Sequence, residues 1–125
     1  MYSPAPNPTT LFICLTCGIR QRDESGAKLP NPVSEKLAAD TAELLKNAPV
    51  DVRLVRCLSM CETPIAWGLR NEERHTFGFA PATTADDLAA TALAYIATLP
   101  GEKLGKKDMP PATAKTLISR IPPLK

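Results

Sequence analysis

The chain has a single histidine, no glycine-rich phosphate loop and no recognisable catalytic signature. These lacks remove most hydrolytic and nucleotide-dependent chemistries. No apolar run approaches the roughly 20 residues needed to cross a bilayer, so no membrane span is expected. The opening Met-Tyr-Ser-Pro-Ala-Pro-Asn-Pro has neither the basic nor the apolar region of a signal peptide, which points to a cytoplasmic protein. The formal net charge is only +2, and its basic residues are dispersed apart from Lys103, Lys106 and Lys107. That balance argues against nucleic acid as a partner. No internal repeat is present. No carboxylate pair is placed for general acid–base work: Glu35, Asp40, Glu43, Asp86 and Asp87 read as helix-face and helix-start charges.

What the chain does have is four cysteines in two close pairs, Cys14-Leu-Thr-Cys17 and Cys57-Leu-Ser-Met-Cys61, with 39 residues between the pairs. In a reducing compartment, paired thiols more often bind metal or do redox chemistry than staple a fold. Four thiolates meeting at one point are the ligand set of a structural zinc or an iron–sulfur cluster.

With 125 residues and 44% apolar composition, the chain suits one domain with a modest core. Prolines bound it. Pro4, Pro6 and Pro8 mark residues 1–8 as a non-helical arm, and Pro110, Pro111, Pro122 and Pro123 break the tail. Between them, residues 9–100 read as the domain, and 101–125 as a loop and short helix packing on it. Thr9 to Cys14 is β-prone. Gly18 to Leu29 is a polar loop. Asn31-Pro32 resembles a cap followed by proline at the first helical position, so Val33 to Asn47 reads as a helix. Its expected apolar stripe is Leu37, Leu44, Leu45 and Ala48, with small Ala38 and Ala42. Val50 to Arg56 alternates as a half-covered strand, and Pro64–Arg70 with His75–Ala80 forms a hairpin. Thr84 opens a second helix on Leu88, Ala92, Tyr95, Ile96 and Leu99. Ala112 to Arg120 reads as a short helix or as an arm over the body.

The order β-α-β-β-α predicts a thioredoxin-like α/β fold, a four-stranded mixed sheet with covering helices. Its first two strands are expected to be parallel with a right-handed crossover. Parallel neighbours finish at the same sheet edge, so Cys14 and Cys57 are expected on one rim, with Cys17 and Cys61 in the loops beyond. Zinc accepts such a set, while the apolar Leu58-Ser59-Met60 leans toward a cluster shielded from water. A thioredoxin-type dithiol at Cys14 and Cys17 is a third possibility. It expects a helix directly after the pair, whereas Gly18 to Gly26 follows. His75 reads as a turn residue, Trp67, Phe77 and Phe79 as core. Arg20, Arg22 and Arg56 flank the cysteines, where they can offset thiolate charge.

Cys-Leu-Thr-Cys after the first strand, Arg-Cys-Leu-Ser-Met-Cys after the second, and the following Pro-Ile-Ala-Trp-Gly-Leu together resemble an uncharacterised bacterial family of predicted metal-binding proteins, itself similar to thioredoxin-like 2Fe–2S ferredoxins. The resemblance implies a 2Fe–2S cluster, with Zn²⁺ as the alternative, held by Cys14, Cys17, Cys57 and Cys61. It also implies electron transfer or redox or iron sensing, a redox partner protein and a homodimer. Such a protein is an electron carrier or accessory subunit more than an enzyme. The first pair departs from those ferredoxins, in which about ten residues separate the first two ligands. The slightly basic charge departs too, since small electron carriers are often acidic.

Overall fold

In the computed structural model, residues 9–15, 24–26, 29–55, 65–98 and 104–121 are described. The β-prone opening run forms strand β1, Thr9–Cys14. Helix α1, Pro32–Leu44, starts where the Asn31-Pro32 cap places it, with Asn31 Oδ1 accepting the Val33 N–H at 2.9 Å. It stops three residues before the expected Asn47. The stripe it buries is Ser34, Ala38, Thr41 and, just past the helix, Leu45. Leu44 is instead 51% exposed, and Ala42 is exposed as well. At 100° per residue, positions 34, 38, 41 and 45 form one line, and Leu44 stands a quarter-turn from it. Small side chains on that line let the helix lie close to the sheet.

Strand β2, Val50–Val55, keeps Val50 and Val52 half-buried and exposes Asp51 and Arg53, matching its alternation. The hairpin is present as β3, Trp67–Arg70, and β4, Thr76–Phe79. Helix α2, Ala85–Ala97, is capped by Thr84, whose Oγ1 accepts the Asp87 N–H at 3.1 Å, and buries Leu88, Ala89, Thr91, Ala92 and Tyr95. Leu99 of its expected stripe lies outside the described residues, as does the arm at 1–8.

The strand count is a correction: five, not four. Residues 112–120, expected as a short helix or an arm over the body, form neither alone. Pro111–Ala114 makes one helical turn, α3, after a 3₁₀ turn at Lys106–Asp108, and Leu117–Ile121 then forms β5 against β4. Two β-branched isoleucines in five residues favour a strand over a helix. The outer backbone groups of β4 also need partners, and β5 supplies them.

The sheet order is β2-β1-β3-β4-β5, with β1 and β2 parallel and the other neighbours antiparallel. One face is the core. Leu11, Ile13, Trp67, Leu69, Phe77 and Phe79 share it by register, none more than 1% exposed. Each such burial contributes about 1.5–3 kcal/mol. Trp67 and Phe79 stack at 4.4 Å, and Tyr95 meets Phe77 edge-on at 5.8 Å, joining α2 to this face. Helix α1 packs on α2, β2 and β1. On the opposite face the Phe12 ring lies across Gly68; a Cβ there would come within 2.5 Å of the ring and would also strike the Phe77 carbonyl oxygen. Glycine is required at that crossing. No helix of the described residues is long and apolar enough to cross a membrane.

Candidate metal centre

Cys14 ends β1 and is 1% exposed. Its backbone N–H donates to the Ala66 carbonyl at 2.9 Å, where the chain enters β3. The next residue, Leu15, donates to the Val55 carbonyl at 2.7 Å and accepts from the Asn31 N–H at 2.7 Å. Ala82, just beyond β4, donates to the Ile65 carbonyl at 2.7 Å. The ends of β1, β2 and β4 and the starts of α1 and β3 therefore meet on one rim. Topology requires this: parallel β1 and β2 finish at one edge, and the crossover helix must begin there to run back.

Cys14 is registered with Val55, and Val55 stands two residues before Cys57 in sequence. The described structure thus brings the first cysteine beside the strand end that leads to the second pair. The N-terminus of α1 adds a positive partial charge to the same rim, which favours anionic groups such as thiolates. Sequence reasoning did not place that helix start against Leu15. The Asn31-Pro32 signal marks where a helix begins in the chain and says nothing of where it sits.

Cys17, Cys57 and Cys61 lie outside the described residues, as do Arg20, Arg22 and Arg56. Of the expected ligands the structure places Cys14, and among the described residues no group of three or more His, Cys, Asp or Glu side chains is arranged to hold a metal.

His75 sits at the other end of the sheet, in the turn entering β4, as its position suggested. That end is closed by a polar network. The Tyr95 hydroxyl donates to the His75 carbonyl at 2.5 Å. The Arg74 guanidinium donates to the Thr98 carbonyl at 2.8 Å and the Ile96 carbonyl at 3.3 Å, satisfying the C-terminus of α2. Buried Asn71 donates to Thr9 Oγ1 at 2.9 Å and accepts the Glu73 N–H at 2.9 Å. Burial pushes the Tyr95 phenol far above its ordinary value, and nearby Arg74 opposes that shift.

No curated protein and no solved structure matches the chain. One family model does, over residues 11–123, which takes in all four cysteines, the whole crossover, the hairpin and β5. By that match the chain belongs to the family described as Protein of unknown function (DUF1636).

Proposed function

We propose that this protein is a thioredoxin-like 2Fe–2S protein, its cluster held by Cys14, Cys17, Cys57 and Cys61, that transfers single electrons or senses redox state or iron. The observation that carries the reading is the parallel register of Cys14 with Val55, two residues ahead of Cys57. Neighbouring strands lie about 4.8 Å apart and successive Cα atoms 3.8 Å apart. Chain length alone therefore allows the Cys57 Cα within about 12 Å of that of Cys14, so the two pairs are within reach of one centre. The strand order β2-β1-β3-β4, with one parallel pair, suits a thioredoxin-like sheet, to which β5 is an addition.

The residues of the rim have separable parts in this function. The four thiolates supply the donor set that a 2Fe–2S centre takes, two to each iron. The strand end fixes Cys14, since its N–H and that of Leu15 are both bound to neighbouring carbonyls. Burial of Cys14 keeps water from its sulfur, and the start of α1 offsets negative charge. When bound, the cluster supplies a one-electron couple. The same reading makes the protein cytoplasmic, working as a homodimer with a redox partner protein.

Anaerobic purification tests it. Expected are a red-brown solution, visible absorption bleached by dithionite, and about two iron and two sulfide per chain. A colourless protein with about one zinc per chain would replace this reading with a zinc-stabilised interaction module. Metal-free protein with a reversible Cys14–Cys17 disulfide would replace it with a dithiol oxidoreductase.

A further inference from the structure

Among the described residues, β2 pairs on one side only, with β1. The Val55 carbonyl faces β1, because it accepts from Leu15. Backbone groups alternate along a strand, so those of Leu54 and Val52 face the outer edge, as does the Val50 carbonyl, while the Val50 N–H donates to the Ala48 carbonyl at 2.8 Å. The side chains beside them are Asp51 and Arg53, one on each flank of Val52, exposed and ion-paired to each other at 2.6 Å. Edge strands commonly use charge to repel another strand. Here the two charges have opposite sign and stand symmetrically about a residue whose backbone points outward.

We infer that β2 is the seam of a two-fold homodimer in which it pairs antiparallel with its own copy about Val52. In that register Val52 forms a hydrogen-bonded pair with the partner's Val52, and the Val50 carbonyl accepts from the partner's Leu54 N–H. Asp51 then lies opposite the partner's Arg53, and Arg53 opposite the partner's Asp51, so four charges alternate around the axis. The registers centred on Asp51 or Arg53 place like charges directly opposite, which is destabilising. Of these three registers, the one centred on Val52 is the one that pairs opposite charges. Leu54, 38% exposed in the single chain, gains cover opposite Val50 of the copy.

Helix α1 supports the same axis. Glu35, Ala39 and Ala42 fall on one exposed line of α1 at helical spacing. The right-handed sense of β1–α1–β2 crossovers turns this flank toward the β2 edge. Two copies of α1 then run antiparallel at about 10 Å, a normal packing distance. Ala39 and Ala42 leave room at the crossing.

This dimer goes beyond the cofactor reading by naming the surface, and its readout is mass, which does not depend on what the sulfurs hold. Sedimentation equilibrium of the full chain is expected to give a dimer that weakens with salt. Arg53→Asp or Asp51→Arg alone is expected to raise the dissociation constant at least about tenfold. Mixing the two variants restores a heterodimer, and the swap Asp51→Arg/Arg53→Asp restores the homodimer. The swap keeps the strand's composition, and circular dichroism confirms that each variant is folded. A wild-type monomer at roughly 0.1 mM, or a dimer unmoved by either single reversal, overturns the inference.

Discussion

The two ends of the sheet are built from different chemistry. At the hairpin end, Asn71, Arg74, Tyr95 and Thr98 bind one another or nearby backbone, and each has a clear task in closing the fold. At the rim, backbone-to-backbone hydrogen bonds tie the strand ends together, the Asn31 side chain caps α1, and the distinctive side chain is a buried cysteine. The polar residues at one end are accounted for by stability, whereas at the other Cys14 is one of the four thiols to which the proposed centre is assigned. Changes at the two ends should therefore separate loss of stability from loss of the bound group.

The largest contrast is expected from Cys57→Ser. If Cys57 is a ligand, bound iron and visible absorption should fall at least about tenfold, because a serine hydroxyl holds iron far more weakly than a thiolate. Metal analysis and absorption spectra measure this; full iron content in the variant would detach Cys57 from the centre. Next comes the core between the ends. Trp67→Ala removes a ring stacked on Phe79 and should cost about 3–5 kcal/mol in denaturant unfolding. Arg74→Ala should cost about 1–3 kcal/mol by leaving the Thr98 and Ile96 carbonyls short of a donor, with iron content unchanged.

Tyr95→Phe is the smallest, at about 1 kcal/mol near neutrality. It also has a pH signature. The folded state holds the phenolic proton more tightly than the unfolded chain, whose Tyr titrates near 10.0. The stability linked to Tyr95 is therefore fully present below about pH 10 and is lost as pH rises beyond it. Thermal unfolding across alkaline pH should show a decline in the wild type that the phenylalanine variant flattens.

Much of the fold could be read from the chain because its signals are local. Asn31-Pro32 and Thr84 cap the helices they appear to cap, and alternation placed β2 and the hairpin. The helix stripe was harder. Leu44 looks like core, but α1 turns Ser34, Ala38 and Thr41 to the sheet because close approach favours small side chains. β5 was misread because a five-residue strand has no stable partner of its own; only the outer edge of β4 makes Leu117–Ile121 extended. At the site, the spacing of the pairs was visible at once, and strand order explained how Cys14 nears the chain leading to Cys57. Cys17, Cys57 and Cys61 themselves lie outside the described residues.

The bond from Asn31 to Leu15 anchors both feet of the intervening stretch at one point. Doubling the length of such a tethered excursion adds only about 0.6 kcal/mol in closure entropy. Length changes between positions 15 and 31 are therefore expected to cost little in closure entropy, while this bond keeps β1 and the start of α1 together.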